Sequence, residues 1–265
     1  MIKDFKFKEV YDIEDLLYIM KILLGPNGCQ WDREQTHQSI RNDLLEEAYE
    51  TADAIDNFDN VGLCEELGDL LLQVVFHSEL SNRENEFNFC DVTDGICKKL
   101  INRHPHVFGE VDVKTSEEIL NNWDKIKKVE KSQETYTDTL KSVPRAFPAL
   151  MRAQKVQKRA AKAGFDWDKT EQVLSKVHEE TAELEEAIKS GNSQQITEEF
   201  GDLLFSMVNL SRFIKVNSEQ ALSEATDKFT NRFEKVEKEV SKSGRDMAEL
   251  SLEELDEIWD KVKHN

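Results

Sequence analysis

Glu198-Glu199-Phe200-Gly201-Asp202-Leu203-Leu204 repeats, 133 residues further along, the run Glu65-Glu66-Leu67-Gly68-Asp69-Leu70-Leu71. Acidic residues three apart, followed by paired leucines, write a helix with a polar side and an apolar side, because positions three and four apart share one face. A block written twice makes internal repetition the first question about the fold. Around it, Trp31-Asp32 returns as Trp167-Asp168 and Glu46-Glu47-x-x-Glu50 as Glu179-Glu180-x-x-Glu183. Lys99-x-x-x-Arg103 returns as Lys228-x-x-x-Arg232, and Trp123-x-x-x-Lys127 as Trp259-x-x-x-Lys263. Separations run from 129 (Lys99 to Lys228) to 136 (Trp31 to Trp167), a drift that small loop changes explain. An acidic composition produces one such coincidence by chance, but not five ordered matches that include Trp, Gly and Arg.

The expected architecture is therefore all-α, a tandem repeat of two helical-bundle domains. The first spans 1–130 and the second 146–265, with a polar linker at 131–145 that lacks sustained helical periodicity and runs into Pro144 and Pro148. Only 10 glycines and 4 prolines occur in 265 residues, too few for the turns that many short strands require. Within each copy a polar break, at 56–62 or 190–195, separates two helices and implies an antiparallel hairpin. Gly201, between Glu199 and Asp202, is expected to permit close packing there.

With 54 acidic against 35 basic residues, the formal net charge is −19, which argues against direct nucleic-acid binding. A nucleotide substrate remains compatible, since a triphosphate needs only a few local cations and a metal bridge. Cys29, Cys64, Cys90 and Cys97 form no C-x-x-C pair, and the first thirty residues do not resemble a secretion signal. Those features suit a reducing cytoplasm. Without about eighteen consecutive apolar residues, no membrane span is expected.

Helical spacing projects Glu180 with Glu183, and Glu199 with Asp202, and a hairpin can set the pairs opposite one another. Converging carboxylates repel by roughly 4 kcal/mol per close pair at an effective dielectric near 20. A cation must offset this, and oxygen ligands without His or Cys favour Mg²⁺, with Mn²⁺ as a substitute. Solvated faces of Glu-rich helices are the plainer reading of any single E-x-x-E. A di-iron bundle needs two E-x-x-H motifs; the chain has Glu34-x-x-His37, outside both hairpins and unrepeated. Lys228 and Arg232 share one face, as do Trp259 and Lys263, and can supply phosphate ligands and a stacking or packing surface. His104, His106 and His178 suit capping, packing or surface roles.

Together these motifs resemble the MazG family. The two-copy order, Cys29-x-Trp31-Asp32 and Arg103-His-Pro-His-Val-Phe108 extend the likeness over nearly the whole chain. About eleven N-terminal residues are additional, and Gln30 stands where the family commonly has Pro. The resemblance implies hydrolysis of nucleoside triphosphates to a monophosphate and pyrophosphate, a homodimer, and Mg²⁺ held by Glu180, Glu183, Glu199 and Asp202. It implies substrate contacts at Lys176, Lys228, Arg232, Trp259 and Lys263, with Lys127 contributed by the first copy. Attack at the α-phosphorus rests on the resemblance alone. Glu179 and Glu183 are both open as general base. A regulatory helical protein that binds a protein partner without turnover is the competing function.

Comparison of the copies separates metal from substrate requirements. Glu47, Glu50, Glu66 and Asp69 preserve all four carboxylates in the first copy as a second, weaker site. Asp43 replaces Lys176, however, a charge reversal, and Phe76 replaces Asn209, a further substrate-binding candidate whose hydrogen-bonding group is thereby lost, so the second copy is expected to carry the activity.

Overall fold

A computed structural model describes residues 5–111, 115, 118, 119, 122, 123, 126, 127, 130 and 134–263. Every regular element among them is helical, as the repeat analysis expects. The chain divides into two compact units, Met1–Lys127 and Lys128–Asn265.

In the first unit, α1 (Ile13–Leu24), α2 (Gln30–Glu34), α3 (Arg41–Asp56), α4 (Asn60–Arg83), α5 (Phe89–Arg103) and α6 (Pro105–Phe108) follow one another. Asp12 starts α1 by accepting from the Asp15 N–H, and Asp15 accepts in return from the Asp12 N–H. This reciprocal cap satisfies two donors that a helix start leaves unpaired. α3 and α4 form the hairpin, closed at Asn57–Asp59. Asp59 Oδ1 accepts from the N–H groups of Val61 and Gly62 at 3.1 and 3.0 Å, so the second half of the expected break is the capped first turn of α4. The apolar side of α4, through Val75, Phe76 and Leu80, packs with Met20 and Leu24 of α1 and with Ile40. Each such side chain contributes roughly 1.5–3 kcal/mol on full burial.

The second unit contains α7 (Tyr136–Lys141), α8 (Ala149–Lys162), α9 (Thr170–Ser190), α10 (Ser193–Phe213), α11 (Ser218–Lys242) and α12 (Leu252–Lys263), with a 3₁₀ turn at Met247–Glu249. Its hairpin joins α9 to α10 through Gly191 and Asn192 alone. Gly191 adopts φ 71°, the left-handed conformation that suits a residue without Cβ. Asn192 Oδ1 then accepts from the Gln194 and Gln195 N–H groups, which draws the second half of the expected break into α10. Val173, Val177 and Ala187 of α9 are buried, as is Val208 of α10. α8 packs on α10, where the buried Gln157 donates from Nε2 to the Phe205 carbonyl at 2.8 Å.

Two expectations require correction. The polar stretch 131–145 is not wholly a linker: α7 lies within it, started by a reciprocal cap between Thr135 and Asp138. Val143 is buried, and Arg159 of α8 donates to the Thr139 carbonyl and to Ser142 Oγ. Its polarity thus marks capping chemistry as well as solvent exposure. Nor does Gly201 mark a close approach within the hairpin, because a Cβ there would meet nothing within 4 Å. The glycine faces outward among exposed Phe200, Leu204 and Phe205.

Candidate active site

The antiparallel pairing of α9 and α10 brings Glu180, Glu199 and Asp202 together, each offering a carboxylate oxygen within 4.8 Å of the others. Glu180 is only 5% exposed, Glu199 is half-buried and Asp202 reaches solvent. Burial, followed by the charges of Glu183, Asp202 and Glu180, pushes the Glu199 pKa above the ordinary glutamate value. Glu183 lies one turn beyond Glu180, outside this set of three, and acts on it through charge.

Lys176 stands one turn before Glu180 on the same face of α9. Its Nζ lies 2.6 Å from Glu180 Oε1 and 2.7 Å from Glu179 Oε1. Hydrogen bonds to Glu179 and Glu180 raise the lysine pKa above its usual value, so the ammonium persists as a local answer to the converging acids. Glu179 is thereby engaged, whereas no hydrogen bond or ion pair is made by Glu183 among the described residues.

The first unit reproduces the carboxylates but not the cation. Glu47, Glu66 and Asp69 meet the same 4.8 Å separation, with Glu50 outside as Glu183 is. Burial, then Asp69, Glu50 and Glu66, raises the Glu47 pKa; burial, then Glu50 and Asp69, raises that of Glu66. At the place of Lys176 stands Asp43, which cannot offset them.

Asn209 belongs to a network that motif comparison does not reveal. Arg212 donates to Asn209 Oδ1 from Nε at 3.2 Å and Nη2 at 2.8 Å, and grips Asp166 with Nη1 at 2.8 Å and with Nη2. This ties α10 to the loop before α9, beside Trp167. The Arg212 guanidinium holds the Asp166 carboxyl below its usual pKa. Gln30 and Glu79 stand at the corresponding places of the first copy, a contrast that could have singled out both residues.

Lys228 and Arg232 lie one turn apart on α11. Phe229 between them sits 5.2 Å from the Trp259 ring, so Trp259 joins α12 to α11. Lys263 ends α12. Among the described residues, no hydrogen bond or ion pair joins Lys228, Arg232 or Lys263 to the carboxylates. Lys127 is half-buried and belongs to the first unit.

Glu34-x-x-His37 serves packing. His37 Nδ1 lies 2.7 Å from His77 Nδ1 and its Nε2 3.1 Å from Ser81 Oγ, and none of the three belongs to the first unit's carboxylate set. His104 joins α5 to α6, its Nδ1 2.6 Å from the Leu100 carbonyl oxygen. Among the described residues, no helix is long and apolar enough to cross a membrane, and no disulfide links the exposed cysteines.

Fold and geometry define an all-α protein with two hairpins, each presenting acidic groups able to hold a divalent metal. A family model described as the MazG nucleotide pyrophosphohydrolase domain matches residues 35–108 and 168–240. The chain is 44% identical to the nucleoside triphosphate pyrophosphohydrolase of Escherichia coli (strain K12), with 95% of this chain and 97% of that protein covered. It is also 44% identical to the Thermotoga maritima nucleoside triphosphate pyrophosphohydrolase/pyrophosphatase MazG, covering 94% and 95% respectively. A Bacillus subtilis protein, YabN, shares 44% identity across 92% of this chain and 50% of its own length. The chain therefore belongs to the MazG nucleotide pyrophosphohydrolase family and is an enzyme of the hydrolase class.

Proposed function

We propose that the second unit hydrolyses nucleoside triphosphates to a nucleoside monophosphate and pyrophosphate, by attack of water at the α-phosphorus. The observation that carries this reading is the pairing of the Glu180–Glu199–Asp202 cluster with Lys176, which the first unit lacks. Family membership and the names of the relatives support the reaction class.

Three hard oxygen donors in close proximity, with Glu199 held above its ordinary pKa first by burial and then by its acidic neighbours, fit Mg²⁺ or Mn²⁺. Such an ion would polarise phosphoryl oxygens and lower the pKa of a water. Glu180, Glu199 and Asp202 would hold it, and Glu183 would either complete the set or accept the water's proton. Glu183 is the better base because Lys176 engages Glu179. Lys176 can move from Glu180 to a phosphate oxygen, and Lys228, Arg232 and Lys263 hold the remaining charge, with Trp259 as a packing surface. Uncovered Phe200, Leu204, Phe205 and Met207 support a homodimer. Exposed, unpaired cysteines suit a reducing cytoplasm.

Pyrophosphate release from mixed triphosphates with Mg²⁺ tests the assignment. Glu183→Ala is expected to reduce it by at least about 100-fold, as loss of a general base does, while Glu50→Ala leaves most of it. Equal losses would remove the distinction between units. Orthophosphate release would replace the reaction, and no turnover would favour a regulatory binding protein.

A further inference from the structure

We infer that Arg212 fixes the side-chain amide of Asn209 as a hydrogen-bond donor, so that the second unit recognises an acceptor atom of its nucleotide there. This rests on the reading of the second unit as the nucleotide site. Arginine carries donors only. Because two of its N–H groups converge on Asn209 at 3.2 and 2.8 Å, the amide oxygen must face the guanidinium; the reverse orientation would set donor against donor. Nδ2 is then turned away from Arg212. It has no partner among the described residues and is absent from their buried unpaired atoms, so both of its hydrogens remain available.

Placement supports a ligand role. Asn209 follows Asp202 by seven residues on α10, two turns along the same side and about 10 Å at 1.5 Å per residue. A nucleotide whose phosphates lie at the carboxylates can extend that far. Asp166 holds the other side of the guanidinium, which prevents Arg212 from turning away.

The first copy loses the whole device. Gln30, Phe76 and Glu79 stand where the second has Asp166, Asn209 and Arg212. Phe76 has neither donor nor acceptor in its side chain, and Glu79 could not orient an amide in this way. All three members differ together, while the carboxylates of the two copies remain the same.

The full-length protein tests the assignment through Asn209→Asp and Asn209→Ala. Aspartate preserves the acceptor for Arg212 and the side-chain shape but removes both donors. Its KM for ATP is expected to rise at least about tenfold with kcat within about threefold, as for contacts held equally in the ground and transition states. Alanine should give a smaller rise, and Arg212→Gln, whose own amide can either donate or accept, should give an intermediate one. Wild-type KM in either Asn209 variant, or a smaller effect for aspartate than for alanine, would overturn the assignment.

Calorimetric affinity for the non-hydrolysable α,β-methylene analogue of ATP must follow the same order. If the wild type binds this analogue but releases no pyrophosphate from ATP, the proposed reaction fails and the affinity order still decides the Asn209 assignment. If the wild type does not bind it, both readings fail. Inorganic tripolyphosphate separates the sources of the acceptor: an aspartate penalty that persists places it on the phosphate chain, and one that disappears places it on the nucleoside.

Discussion

His77 shows how one side chain can carry a cost that its repeat does not share. It is half-buried on α4, its Nε2 has no partner, and burial together with the nearby His37 charge holds its pKa below the usual 6.5. The unfolded chain binds a proton near pH 6.5 that the folded chain binds only at lower pH. This contribution to stability is therefore intact above that value and declines as the pH falls through it. Urea unfolding at about pH 7.5 and about pH 5.5 should show a loss at the lower value, diminished in His77→Leu, which installs the counterpart Leu210. An unchanged pH dependence in that variant would contradict this account. Sequence alone gave Glu34-x-x-His37 as a rejected metal motif; it could not show His37 meeting a residue forty positions away. Likewise, the carboxylate residues were legible from their repetition, but the separation of Glu183 from the close set depends on how α9 and α10 align.

At the level of elements, helix periodicity and capping residues explain why both hairpins were legible, while their turns came out shorter than expected. Asp59 and Asn192 look like loop residues in sequence yet act as N-caps, which adds their successors to the following helices. Gly201 raises the opposite problem. In a helix interior glycine costs about 1 kcal/mol relative to alanine, and among the described residues nothing lies within 4 Å of a Cβ added there. Its neighbours Phe200, Leu204 and Phe205 form an exposed apolar strip, which in the proposed homodimer would meet a second copy. Gly201→Leu is expected to move the protein from dimer to monomer in sedimentation velocity, despite leucine's better helix propensity. A variant that sediments as the wild type does, and melts at a higher temperature, would show that α10 meets no partner at that position.

Across the whole molecule, duplication has kept one set of residues in both units and confined another to one. Three carboxylates meet in each hairpin, which is what a hard divalent ion requires. Lys176 and the Arg212–Asn209 pair occur only in the second unit. Their counterparts in the first are not neutral omissions. Asp43 adds negative charge beside an already acidic cluster, and Phe76 is 5% exposed in the core with Met20, Leu24 and Val75. The first unit has therefore assigned to packing a position that the second keeps polar, and a single substitution should not restore substrate binding there. Metal and nucleotide stoichiometries should consequently differ. Calorimetry with Mn²⁺ is expected to detect sites in both units, whereas the α,β-methylene analogue of ATP saturates at one molecule per chain. Asp69→Asn should remove only the first unit's metal binding and leave pyrophosphate release largely intact; Asp202→Asn should remove the second unit's metal binding together with activity. Saturation by two analogue molecules per chain would mean that Asp43 and Phe76 do not prevent nucleotide binding, and the division of labour between the copies would have to be abandoned.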